Sequence, residues 1–125
     1  MQGGSGTSAE LTARSATGRE FAVHTLFLEN GSIIVISEGM LRIGAISVSI
    51  ASSGSGVNTA KVIPSKYDSM FINTVSEKVA SMTNGICLVS LHSKASLHLD
   101  DMKAIMEVIM DTIDRRKGDE KETKS

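Results

Sequence analysis

The chain has 125 residues, 41% of them hydrophobic, with 13 Lys and Arg against 14 Asp and Glu and a formal net charge of −1. That is enough apolar material for the core of one ordinary domain, and too little positive charge for nonspecific binding along nucleic-acid phosphates. Three Phe, one Tyr and no Trp leave no stacking platform for bases, and a single Cys excludes an internal disulfide and a Cys-rich zinc site. Residues 1–18, MQGGSGTSAELTARSATG, are small and polar and read as a disordered N-terminal arm in which Ala9 to Ser15 is a weak helix candidate. The arm lacks an apolar run with a basic flank, and no stretch approaches the roughly 18 apolar residues of a membrane span. A reducing, cytoplasmic setting is expected, with the nucleus added if the cell is eukaryotic.

A single domain is expected over 19–117. Glu20 to Leu28 is a strand, Glu29-Asn30-Gly31 a hairpin turn, and Ser32 to Ser37 a second strand. Met40 to Ile50 is a third, with Ile46, Val48 and Ile50 on one face and Gly44 marking a bulge or a close backbone approach. Ala51 to Thr59 is a flexible Gly/Ser loop, and Ala60 to Ile63 a short fourth strand stopped by Pro64, the sole proline. Ile72, Val75, Val79 and Met82 then recur at helical spacing, with Asp68 or Ser69 as N-cap and Asn84-Gly85 as a left-handed stop. Ile86 to Leu91 is a near-continuous apolar strand. Met102, Ile105, Met106, Ile109 and Ile113 mark a second helix, with Asp100 and Asp101 at its positive end and Arg115, Arg116 and Lys117 at its negative end. Residues 118–125 read as a charged, disordered tail.

The order β-β-β-β-α-β-α predicts an α+β fold: an antiparallel sheet of five or six strands with two helices packed on one face. The other face should then alternate to polar residues, and it does not. Ile33 to Ile36 and Ile86 to Val89 carry apolar side chains on both faces, and in the first strand Phe21, Val23 and Phe27 oppose Leu26 and Leu28. Since no third helix exists to cover the second face, a second subunit is expected there, so the chain should dimerise. Phe21, Val23, Ile34, Ile36, Ile46, Val48 and Met110 are the interface candidates.

The polar side chains offer little chemistry. Cys87 lies inside an apolar strand and reads as an inert core thiol. His24 is far in sequence from His92 and His98, which lack a third ligand at metal spacing. Asp100 and Asp101 are adjacent at a helix start, where carboxylates cap. Ser52-Ser53-Gly54-Ser55-Gly56 lacks the Gly-Lys-Ser/Thr of a phosphate loop and joins two strands. Met102, Met106 and Met110 read as core and its margin, with Met110 off the main stripe. Neither an enzyme nor a cofactor site is expected.

Ser65-Lys66-Tyr67-Asp68-Ser69 before the helix and Thr83-Asn84 at its end, followed by an apolar strand running into Ser90, resemble the small proteasome assembly chaperones of the chaperone-3/chaperone-4 type, the chaperone-4 branch most of all. The likeness covers about Glu20 to Lys117 and lacks the longer polar insertion that can separate Tyr-Asp-Ser from the helix. It implies a non-catalytic chaperone that dimerises, with itself or a paralogue, and binds a proteasome α-subunit during α-ring assembly. Tyr67, Asp68, Ser69, Thr83 and Asn84 match the signature and serve the scaffold, as cap and anchor of the helix. The alternative is a roadblock/longin-like dimerisation scaffold for a GTPase or motor complex, which normally begins with a helix. A small enzyme or ligand binder would need Ser53, His92 and His98 to meet in a deep pocket.

Overall fold

The strand at Glu20–Leu28 shows the logic of the whole sheet: Phe21, Val23, Thr25 and Phe27 are buried while the residues between them are not. The computed structural model describes residues 7–52 and 56–124, with the backbone alone for 118–124. Its elements are β1 (Thr7–Arg14), β2 (Glu20–Leu28), β3 (Gly31–Glu38), β4 (Ala45–Ser52), β5 (Gly56–Ile63), α1 (Ser69–Thr83), β6 (Ile86–His92) and α2 (Leu99–Lys124). The sheet is six-stranded, in the order β1-β2-β3-β6-β4-β5. Both helices cover one face, α1 over β4, β5 and β6 and α2 over β1 and β2.

Three expectations change. Residues 7–14 are not a loose arm, nor is Ala9 to Ser15 a helix. They form β1, which pairs with β2 from Thr7 against Phe27 to Arg14 against Glu20. Its inward side carries Ala9, Leu11 and Ala13, small enough apart from Leu11 for α2 to pack close. That composition leaves almost no strand signal. Second, the sheet is mixed, because β3 and β6 run parallel. A helix returns the chain to the end where the preceding strand began, so β6 repeats the direction of β5. It inserts centrally, between β3 and β4, as its two-faced apolar run requires. Third, β5 begins at Gly56, and α2 continues to Lys124 through the expected tail. The remaining readings for residues 1–6, 53–55 and 125 lie outside the described residues.

The core lies between the helices and the inner face. Phe21, Val23, Ile34, Ile36, Cys87 and Val89 of the sheet meet Ile72, Val75 and Val79 of α1 and Ile105, Ile109 and Ile113 of α2. Gly44 is obligatory at the start of β4: a Cβ there would stand 2.1 Å from the Leu91 carbonyl oxygen, and its N–H donates to Ser90 Oγ at 2.9 Å. Where α1 lies over β4 the floor is polar. Ser47 Oγ donates to Asn73 Oδ1, and Ser49 Oγ bonds Ser76 Oγ and Thr59 Oγ1, each at 2.7 Å.

One guanidinium ties the other end together. Arg19, just after the β1–β2 turn, donates Nε and one NH2 proton to Glu38 at 3.0 and 2.7 Å. It donates to Asp101 Oδ2 at 2.8 Å and to the carbonyls of Ser96 and Ala95 at 2.9 and 3.1 Å. All five guanidinium protons are thereby used. Glu38 also accepts the Lys94 N–H, and Asp101 those of His98 and the Thr17 hydroxyl. Burial alone would raise the Asp101 pKa. The hydroxyls of Thr17 and Ser15, the His98 N–H and the Arg19 charge outweigh it and hold the group at about 2. The Glu38 pKa is lowered chiefly by its hydrogen bonds from Arg19.

Arg19→Ala leaves Asp101, wholly buried, without its counter-charge, and should cost about 3 kcal/mol in urea denaturation. Arg19→Lys should recover little of it, since one ammonium cannot span both carboxylates and two carbonyls. Asp101 ionises more readily folded than unfolded. Its contribution is therefore complete above its unfolded value of 3.8 and is lost as pH falls through about 2. Stability followed by denaturant titration should accordingly drop across that acid window.

Candidate interaction surface

The outer face of the sheet carries the side chains of opposite parity to the core, and no described element covers it. Leu26 pairs with Ile33, Ile33 with Leu88, and Leu88 with Val48, so one unbroken apolar row crosses four strands. Beside it Ile86 pairs with Ile50, and on the other side lie Val35, Ile46 and Ile63. Leu26 and Leu28 are 39% exposed, Ile50 46% and Ile63 43%.

β4 is the informative strand. Its inward positions are Ser47 and Ser49, buried under α1, while Ile46, Val48 and Ile50 point outward. The usual amphipathic order is reversed: hydroxyls lie inside and β-branched aliphatics outside. An isolated sheet gains nothing from that arrangement, whereas a sheet covered on its outer face gains an apolar contact.

Of the sequence-stated interface candidates, Ile46 and Val48 lie on this face. Phe21, Val23, Ile34 and Ile36 do not: each is at most 1% exposed, beneath the helices. The parity of β2 and β3 was assigned the wrong way round. The aromatic rings of β2 take the helix-covered side because they bury the most area, which leaves Leu26, Ile33 and Val35 outside. Met110 is half-buried on α2, in a shallow groove with Met106, Lys103, Glu107, Asp111 and Asp114, far from the open face. The reversal in β4 was legible as Ile-Ser-Val-Ser-Ile. What was missing was the position of α1 over its serines.

The signature residues serve the scaffold, with two changes of role. Asp68 holds the N-cap position of α1 but makes no side-chain cap bond. Its Oδ1 instead accepts the Leu97 N–H at 3.2 Å, tying α1 to the connector before α2, and Ser65 Oγ accepts the N–H groups of Tyr67 and Asp68. Tyr67 is 50% exposed and anchors nothing in the core. Ser69 is the first residue of α1. Thr83 Oγ1 donates back to the Val79 carbonyl, and Asn84 adopts the left-handed cap at φ 52°.

Cys87 is fully buried, and burial raises its thiol to about 11. The three histidines stay apart: His24 Nδ1 faces Glu10 at 3.8 Å on the outer edge, His92 ends β6, and His98 precedes α2. Of the two aspartates, Asp100 is exposed, and Asp101 caps α2 through the His98 N–H. Among the described residues no three His, Cys, Asp or Glu side chains form a metal-binding group, and no helix is long and apolar enough to cross a membrane.

No family model matches the chain, and no curated protein matches it. A solved structure does: a chain from the crystal structure of a novel chaperone complex for yeast 20S proteasome assembly. The two share a TM-score of 0.63 over 91% of this chain and 97% of that chain, at 13% identity. The two chains share a fold. The resemblance carried by Ser65–Ser69 and Thr83-Asn84 is thus met at the level of fold.

Asp68→Ala should strand the Leu97 N–H at a buried site and cost about 1–3 kcal/mol in thermal or urea unfolding. Tyr67→Ala should leave stability nearly unchanged by the same measurement.

Proposed function

We propose that this chain is a non-catalytic chaperone subunit of proteasome assembly that works as a pair. Its partner is a second subunit of the same fold, identical or paralogous, packed against the outer face of the sheet. The reversed amphipathicity of β4 carries this reading: Ile46, Val48 and Ile50 face outward in continuity with Leu88, Ile33 and Leu26. A sheet face is complementary to another sheet face, since two twisted sheets interdigitate side chains across a gap of about 10 Å. The pair would then bind a proteasome α-subunit during α-ring assembly, in the cytoplasm or nucleus. The fold likeness to a chain of a 20S proteasome assembly complex supports that assignment.

The roadblock/longin alternative expects a helix ahead of the first hairpin. The candidate for it in the sequence, Ala9 to Ser15, falls instead on a strand that pairs along its whole length with β2. That favours the chaperone reading.

Two aspartate substitutions on adjacent residues separate fold from association. Leu88→Asp, on the outer face, should leave a folded chain whose mass in sedimentation is that of one subunit. Val89→Asp, buried at 0% exposure, should abolish folding. A wild-type chain that sediments as a monomer at tens of micromolar, or a Leu88→Asp chain that still pairs, would overturn the pairing. Recombinant α-subunits should be retained by the wild-type protein in a pull-down. Retention of a small GTPase in their place would favour the alternative.

A further inference from the structure

At the carboxyl ends of β3 and β6, which are parallel neighbours, the chain leaves the sheet in opposite directions. From β3 it passes through 39–44 across the end of β6 to reach β4. From β6 it passes through 93–98 to α2, above β1 and β2. Where connections diverge outside the carboxyl ends of parallel strands a crevice opens, and such crevices are the common binding places of open sheets. Here it has a volume of about 680 Å³, and its lining includes Met40, Arg42, Lys66, Tyr67, His92 and Lys94.

The charge of this crevice is one-sided. Arg42, Lys66 and Lys94 are exposed, and none makes an ion pair among the described residues. Lys66 Nζ stands over the Tyr67 ring, 5.7 Å from its centre, a cation–π contact at the mouth of the crevice. The single carboxylate in the lining is Glu38. It is already held by two Arg19 bonds and by the Lys94 N–H, so it neutralises none of the three cations by contact. Lys94 is thereby fixed at its backbone while its side chain stays exposed. Lys94 lies close enough for its charge to help lower the Glu38 pKa, while Arg42 and Lys66 have no carboxylate in the lining beyond the one Arg19 already holds; in a chain whose net charge is −1, three cations against one engaged carboxylate are a local excess.

The same segments expose large apolar side chains. Met40 is 84% exposed, Ile43 72%, Met70 82% and Tyr67 50%. Arg, Tyr and Met together are the composition of a protein-binding surface.

We propose that this crevice receives an acidic segment of a partner protein. Its carboxylates would bond Arg42, Lys66 and Lys94, and an adjacent apolar side chain would rest on Met40 and Tyr67. The site lies at the end of the sheet and needs neither subunit pairing nor the identity of an α-subunit.

The test is fluorescence anisotropy on the full chain with a fluorescein-labelled peptide of alternating glutamate and leucine. Saturable binding is expected, weakening with added salt as exposed charge pairs are screened. The triple variant Arg42→Glu, Lys66→Glu, Lys94→Glu should lose affinity by at least about tenfold, because like charges then oppose the peptide. Met40→Ser with Tyr67→Ser should lose about threefold through the apolar contact alone. Arg42→Gln, a single loop substitution that leaves folding untouched, should lose about threefold and keeps the test open if the triple variant misfolds. The proposal is overturned if the wild-type chain does not bind the peptide, or if the cation variants bind it equally. It is also overturned if polyglutamate binds as tightly, which would mean undirected attraction, or if inorganic triphosphate displaces the peptide at equal concentration, which would mean a phosphate site. Sedimentation of each variant, with pairing unchanged, separates this outcome from any failure of the subunit-pairing reading.

Discussion

The structure depends on the position of Arg19. Its guanidinium touches the end of β3, the start of α2 and the connector between β6 and α2 together. Without it two carboxylates, one wholly buried, would face each other across the end of the sheet. The planar fork of arginine suits this place because it serves Glu38 with two parallel bonds while its other edge reaches Asp101 and the Ser96 carbonyl. By fixing α2 over β1 and β2, the clamp also gives β1 its cover. By fixing Lys94, it shapes the crevice at the carboxyl ends of the parallel pair.

The second constraint is that two helices cover one face only. On the covered face β2, β3 and β6 bring apolar side chains, and β4 alone brings serines, beneath α1. The Ser47–Asn73 and Ser49–Ser76 bonds are directional and fix where α1 sits along β4. That frees the aliphatic side of β4 to face outward, continuous with β6, β3 and β2. The proposed pairing surface and the polar floor of α1 are thus two sides of one strand.

Much of this was legible in the sequence. The helical stripes of α1 and α2, the Asn84 stop and the two-faced run Ile86 to Val89 follow from periodicity and turn chemistry, and each appears where expected. The parallel pairing of β6 was not legible, because strand order is decided by long-range competition for the central position. β1 was missed because Thr7–Arg14 holds a single large apolar residue, Leu11, and its strand state comes from pairing with β2 and cover by α2. The candidates on β2 and β3, Phe21, Val23, Ile34 and Ile36, lie on the helix-covered side, since alternation gives two faces without saying which one a helix will take. Arg19 was invisible for a related reason: its partners Glu38 and Asp101 lie 19 and 82 residues away.

The outward aliphatics of β4 bear on heat capacity. Water released from apolar surface lowers heat capacity, so each face of the sheet registers in the reaction that dries it. Serines under α1 reduce the apolar area dried when a single chain folds. On the proposed pairing, Ile46, Val48, Ile50, Leu88 and Ile33 add a second such term. Calorimetry would then resolve two heat-capacity changes, one for drying the helix-covered face as a chain folds and a negative one for bringing two chains together.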